Sequence, residues 1–316
     1  FTFNIFVVNL ITHVNLFYCC ERRFKHKSKV CFIEFVSCMK SLIKKSLLFS
    51  LIFLVGCSTT TFVYNRIDFL LPWYLESYVD LNREQKQDLK ELLIPFFKWH
   101  REEELPNYLA IIEDLELTLD ASIEFESIAE ITNDVEESWF RLEDRMLLWA
   151  IPMTRDLSEQ QINGFIKSMQ TKTEQSENEY LSRNLQTYQN DNYKRLRKNL
   201  RRFMGSLNKD QLDLISAASK KMIRVDGQWI DNRKALIKKL KVILEREYGW
   251  ELALENITHR DDLVAQNYRK TYAHNISVSQ NLLVEVLNSR TDKQDKKLRS
   301  QLLKYRKDIE RLIQEN

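Results

Sequence analysis

Apolar positions along this chain recur mostly at steps of three and four. Leu181, Leu185, Tyr188, Asn192, Leu196, Leu200 and Phe203 fall on one stripe, the spacing of a helix with one buried face. With a cap at Ser158 and a stop at Gly205, a single helix over 159–204 would be roughly 70 Å long. The same spacing predicts helices near 62–79, 83–103, 106–120, 124–150, 209–247, 251–289 and 292–315. Pro95 is expected to kink the second of these, since an interior proline removes a hydrogen bond and crowds the preceding turn. Pro106 suits the first turn of the third. No run of alternating Val, Ile or Thr bounded by turn residues marks a strand. The expected fold is all-α, an elongated multi-helix bundle with several long helices.

The helix starts repeat. "LNREQ" (81–85), "LSEQQ" (157–161) and "LNKDQ" (207–211) share a leucine, a small polar residue and a glutamine three positions later; "TDKQ" (291–294) lacks the leucine. Asn82, Ser158, Asn208 and Thr291 are N-cap types whose side-chain oxygen takes an orphaned backbone N–H. Gln85, Gln161, Gln211 and Gln294 can reach back to complete capping boxes. Leu157 with Ile162 and Leu207 with Leu212 fit the accompanying hydrophobic staple. Lys86 breaks that part of the first copy.

The front of the chain reads differently. Met39 opens "MKSLIKKSLLFSLIFLVGCS", with Lys40, Lys44 and Lys45 ahead of an apolar stretch from Leu47 to Val55. A basic segment, a short apolar segment and a small residue before a break are the marks of a secretory signal. About ten apolar residues fall short of the roughly 20 a membrane-spanning helix needs. Leu54-Val55-Gly56-Cys57 resembles the bacterial lipobox. That resemblance implies cleavage between Gly56 and Cys57, diacylglycerol on the Cys57 sulfur and acylation of the new amine, several chains holding where one holds only marginally. Ser58, rather than Asp, after the cysteine leans the expected location to the outer membrane, facing the periplasm. The implied organisation is 1–38 as upstream sequence wrongly translated, 39–56 as lipoprotein signal peptide and 57–316 as a single all-helical domain. Reading "FTFNIFVVNLITHVNLFY" as a membrane segment is disfavoured by Asn4, Asn9, His13 and Asn15 within it.

Charge changes with that reading. The first 56 residues carry eight Lys or Arg and two acids, so their removal turns the formal net charge from +3 to −3. The overall basicity therefore gives no ground for nucleic-acid binding. Residues 58–156 hold 22 acids and 9 bases, residues 157–316 hold 21 acids and 31 bases. Such asymmetry marks an interaction, most simply the two halves folding on each other. After Cys57 there is no cysteine, which leaves no disulfide frame, CxxC pair or thiolate nucleophile.

Candidate chemistry is sparse. His100 with Glu103 and Glu104 places an imidazole and two carboxylates at i+3 and i+4, either a general base or partial metal site, or merely an exposed helix end. His259 has Glu255 and Asp262 nearby, and His274 has no acid nearby. With no HExxH, GxSxG, Walker-type or GxGxxG motif, no catalytic residue, metal ligand or cofactor is expected. The basic block "KRLRKNLRR" is the strongest charge feature. Its Lys194, Arg195, Arg197, Lys198, Arg201 and Arg202 would either touch anionic lipid, each cation contributing about 1 kcal/mol, or form the solvated side of a helix facing the acidic half. The aromatic cluster Phe62, Tyr64, Phe69, Trp73, Tyr74 and Tyr78 suits a membrane interface and a packed core equally.

Tyr64-Asn65, Asp68, Leu70-Leu71, Trp73, Tyr78, Asp80-Leu81, Gln85, Trp99-His100-Arg101 and Glu104-Leu105-Pro106 together resemble the bacterial lipoprotein family DUF6279. The resemblance is specific over 57–112, with Asn82 where Thr is expected and an unusual Pro72. It implies a helical fold and an envelope location, and no chemistry. The Leu-polar-x-x-Gln copies are also similar, more faintly, to the LTxxQ motif of helical periplasmic chaperones. The expected function is a lipid-anchored binding or scaffolding protein whose partner is another envelope protein, peptidoglycan or lipid. A chaperone-like protein and an envelope enzyme with a scattered carboxylate/His100 site are the alternatives.

Overall fold

The computed structural model describes residue 61, residues 64–258 and residues 265–315. Cys57, the signal-like segment and Phe62 lie outside these described residues, as do His259 and Asp262. In chain order the helices are α1 (Ile67–Leu75), α2 (Arg83–Trp99), a π-turn (His100–Glu104), α3 (Leu105–Thr118), α4 (Phe125–Arg155), α5 (Glu159–Ser182) and α6 (Leu185–Met204). Then come α7 (Lys209–Lys221), α8 (Asp226–Ile243), α9 (Trp250–Glu255) with a 3-10 turn (Asn256–Thr258), α10 (Gln266–Asn288) and α11 (Asp292–Gln314). The fold is all-α, and no strand occurs among the described residues.

All four expected N-caps are present as complete capping boxes, and they meet in pairs. The Oδ1 of Asn82 accepts the amide of Gln85 at 2.9 Å, and the Gln85 Oε1 accepts the amide of Asn82 at 3.0 Å. Ser158 and Gln161 repeat this. The two glutamines then join: Gln85 Nε2 donates to Gln161 Oε1 at 3.1 Å and Gln161 Nε2 to Gln85 Oε1 at 2.7 Å. Their second donor hydrogens go to the carbonyl two residues before the partner's cap, Asp156 O at 2.8 Å and Asp80 O at 2.6 Å. A primary amide has two donor hydrogens and two acceptor lone pairs, and here all four are used. Gln211 and Gln294 make the same arrangement, donating to each other at 3.0 and 2.8 Å and to Ser289 O and Ser206 O at 3.2 and 2.7 Å.

These pairs mark the two ends between which the helices run. The run α2–π-turn–α3 leaves the first end and stops at the second, where Leu119 O accepts from Arg290 and Arg299. At 1.5 Å per residue the span is roughly 50 Å. The chain turns at Ile123, whose N–H and C=O are both held by the Asn288 amide. From there α4 returns, α5 and α6 go out again, and α7 and α8 come back. α10 and α11 line the half nearer the second end. At the first end, Arg246 Nη1 donates to Arg155 O at 3.0 Å and Leu157 O at 2.9 Å, a cation at the negative end of α4. Its own backbone is left-handed (φ 59°), a conformation costing a non-glycine residue about 1–2 kcal/mol.

Core packing follows the same plan. Leu89 and Leu93 of α2 meet Met153 of α4 and Leu71 and Leu75 of α1. Ile162, Ile166 and Met169 of α5 meet Ile237 of α8, with Leu157 against them as the staple predicts. Ile151, Ile243 and Leu254 join α4, α8 and α9.

Three predicted helices break and one predicted gap closes. The 159–204 helix is α5 plus α6, because Arg183 is extended (φ −76°, ψ 139°) and Asn184 caps a new helix through the Thr187 amide at 2.8 Å. The break resets the helical phase, so Tyr188, Asn192 and Leu200 are buried while Leu181 and Leu185 of the expected stripe are exposed. The 209–247 helix divides at Ile223, whose C=O takes the Tyr188 hydroxyl and the Asn275 amide. The 251–289 segment divides after α9. Conversely, 83–103 and 106–120 are continuous through the π-turn, and Pro95 lies inside an unbroken α2.

The second glutamine pair is more buried than the first: Gln211 and Gln294 expose 0% and 4% of their surface, whereas Gln161 is only half-buried. Gln294→Glu removes both donors and leaves the Ser206 carbonyl and the Gln211 Oε1 short of a partner, at about 1–3 kcal/mol per unsatisfied buried group. The expected result is a loss of at least about 2 kcal/mol in urea unfolding, with Gln161→Glu costing less. Equal losses at the two ends would contradict this account.

Candidate functional site

The residues of the Trp99-to-Pro106 segment converge on a buried polar centre at the π-turn. Pro106 has no N–H to give to the preceding turn, and the Leu105 N–H reaches His100 O, one residue beyond the α-helical partner. The widened turn puts both His100 and Glu104 inside, 4% and 1% exposed, while Glu102 and Glu103 face solvent. The expected His100–Glu103–Glu104 face therefore does not form, and the segment is not an exposed helix end.

Glu104 is held by Arg141 of α4 in a two-pronged pair, Nε to Oε2 at 2.9 Å and Nη2 to Oε1 at 3.0 Å. Arg141 Nη2 also donates to Ser138 Oγ at 2.8 Å, and that hydroxyl donates to Asp134 O at 2.9 Å. The Asn107 amide stands 3.5 Å from Oε2. His100 sits among Phe96, Trp99 and Tyr108, ring centroids 5.6–6.1 Å away. Burial, and secondarily the neighbouring Arg101 cation, push its imidazole down to about 4. At neutral pH the ring is uncharged, and both oxygens of Glu104 are engaged by a cation. The centre is built as a charge clamp in an aromatic setting, tying the α2–α3 rod to α4.

A second such centre holds the α5–α6 break. Asp226, 4% exposed at the start of α8, receives Arg183 Nη2 at 2.6 Å and Nε at 3.0 Å and Arg224 Nε at 2.9 Å. Arg183 also reaches Asp191 at 3.1 Å and lies over the rings of Tyr180 and Tyr188. Neither Arg141 nor Asp226 is marked by a sequence motif. Their partners lie 37 and 43 residues away, and only the burial of one carboxylate calls for the other side chain.

The remaining candidates are scattered. His274 Nε2 stands 3.1 Å from Lys221 O, far along the chain from His100. Among the described residues no group of three or more His, Cys, Asp or Glu is placed to hold a metal ion. In the basic block, Lys194, Lys198, Arg201 and Arg202 are exposed, whereas Arg195 and Arg197 are half-buried and Arg195 donates to Asn192 Oδ1 at 2.8 Å. α6 packs on α7 and α11, both in the basic half, so the block does not face the acidic half. Among the contacts between the halves, α11 lies against α3, where Arg306 pairs with Glu116, and Arg299 pairs with Asp120 just past the end of α3 at 2.9 Å. In the aromatic cluster, Trp73 and Tyr74 are exposed, while Tyr78 packs on Phe165 under the Lys172 ammonium.

Fold and clamps define an all-α protein whose buried charges knit long helices together. The model of the family described as "Family of unknown function (DUF6279)" matches residues 77–269, and the chain belongs to that family. The match takes in the resemblance from residue 77 on, leaves its Tyr64-to-Trp73 part outside, and runs past residue 112 into α10. No curated protein and no solved structure matches the chain.

His100 gives the centre a pH signature. An imidazole near 6.5 when unfolded and about 4 when folded takes its proton first in the unfolded chain. Its effect on stability is nil above pH 6.5; stability then falls as the pH drops from 6.5 towards 4 and levels off below, by about 3 kcal/mol in all. His100→Phe removes the titration, and urea unfolding across pH 4–7 is expected to show a flatter profile than the parent. An unchanged slope would assign the acid sensitivity elsewhere.

Proposed function

We propose that this protein is a lipid-anchored envelope lipoprotein that works by binding or scaffolding. Leu54-Val55-Gly56-Cys57 behind Lys40, Lys44 and Lys45 carries the reading. No helix among the described residues is long and apolar enough to cross a membrane, so attachment through acyl chains on Cys57 is the economical anchor. Binding is favoured over catalysis by the two buried polar centres, in which arginines occupy the carboxylates of Glu104 and Asp226. The partner is another envelope protein or peptidoglycan. In cells fed a fatty-acid analogue, the parent chain is expected to carry label and Cys57→Ser to lose it. Label persisting on the variant would sink the lipobox reading.

A chaperone-like role is the second reading. It draws on the exposed apolar side chains Ile94, Leu148, Val242 and Leu252, each about 60% exposed or more and carried on α2, α4, α8 and α9. Light scattering of a chemically unfolded client should then be suppressed at equimolar protein. Scattering unchanged at tenfold excess would remove this reading.

A further inference from the structure

We propose that α6 and α11 together form a cationic face that docks on an anionic phospholipid bilayer. The two helices lie side by side: the Phe203 ring is 6.1 Å from Tyr305, and the Lys297 stem lies against Gly205. α6 turns Lys194, Lys198, Arg201 and Arg202 to solvent. The outer side of α11 carries Lys293, Lys296, Lys297, Lys304 and Lys307, all exposed. Their spacing follows one helical face over roughly 20 Å. None of these nine side chains is held in an ion pair among the described residues. The exposed acids on the two helices are Asp292 near one tip of the stripe and Glu310 and Glu315 near the other.

What marks the face is that nine such cations stand together on two adjacent helices, whereas other exposed lysines, such as Lys238 and Lys241, lie on other elements. Arg141, Arg155, Arg183, Arg224, Arg290, Arg299 and Arg306 are all spent on carboxylates. The unspent cations are mostly lysines, compact point charges rather than two-pronged forks. Leu303, 47% exposed, stands among them. A two-helix surface of lysines around one apolar side chain matches the phosphates of a bilayer with acyl chains beneath them. The choice of a bilayer over a soluble polyanion rests on the lipoprotein reading above.

The test uses the full chain carrying Cys57→Ser, so that no acyl group contributes, and flotation with phosphatidylcholine vesicles with and without phosphatidylglycerol. The expected result is binding only to the anionic vesicles, reversed by high salt. Lys296→Gln with Lys297→Gln and Lys304→Gln should weaken it about a hundredfold. Lys238→Gln with Lys241→Gln, on exposed sites of α8, should leave it within about twofold, and unchanged helicity and unfolding midpoint exclude a folding defect. Equal binding to neutral vesicles, no loss in the α11 variant, an equal loss in the α8 variant, or binding to soluble polyphosphate but not to vesicles would each overturn the proposal. Acyl labelling of the chain with Cys57 intact reads the anchor separately: label present with no vesicle binding defeats only this inference, and label absent with vesicle binding defeats only the anchor.

Discussion

Two helix starts brought together by reciprocal glutamine amides are the constraint on which the rest of the bundle hangs. A helix N-terminus leaves backbone donors without partners and carries a partial positive charge, so bringing two starts together buries what each would rather keep wet. Here each start is first closed by its own capping box, and the same glutamine that closes it then spends its remaining hydrogens across the join. Nothing is left over on Gln85, Gln161, Gln211 or Gln294. Glutamate, the other common capping-box residue, has acceptors only when ionised and would set two carboxylates against each other. Asparagine is a methylene too short to serve both the cap and the partner.

Between the ends, the charge clamps decide how the rods lie side by side. Glu104–Arg141 fixes the α2–α3 rod to α4, and Asp226 gathers Arg183 and Arg224 at the elbow between α5 and α6. Buried ion pairs are weak sources of net stability, yet removing one partner is costly because the other is left buried and charged. They therefore specify register more than they add energy. Sited at a π-turn and at a helix break, they stand where the backbone departs from the regular helix that the apolar stripe alone would allow.

The sequence makes the helical class and the four caps legible because both depend on residues within one turn of each other. Asn82, Ser158, Asn208 and Thr291 behave as their local spacing requires. Pairing between caps is not legible: the glutamines that meet are 76 and 83 residues apart, and nothing in either pentapeptide selects its partner. The breaks at Arg183 and Ile223 are not legible for a related reason. The stripe through Leu181 and Leu185 is good helical spacing, and it is overridden by tertiary bonds from Asp226 and Asn275. At the π-turn, local spacing makes Pro106 the start of a new helix, whereas the preceding helix absorbs it by widening one turn. The basic block is legible as charge, but which of its arginines face inward depends on how α6 packs against its neighbours.

The long separation within each glutamine pair has a consequence for how the chain is assembled. A polypeptide delivered from its N-terminus completes the first end once Gln161 has emerged, with α2 through α4 already behind it. The second end stays open until α11 arrives, since Gln294 belongs to it. Until then the Gln211 amide and the carbonyl of Ser206 lack their partner, and the α3 face that α11 covers stands bare. Loop-closure entropy rises only slowly with length, so the distance costs little at equilibrium; its effect is on timing. α11 is the closing piece of the second end, and a chain that loses it is left with the first glutamine pair made and the second one unsealed.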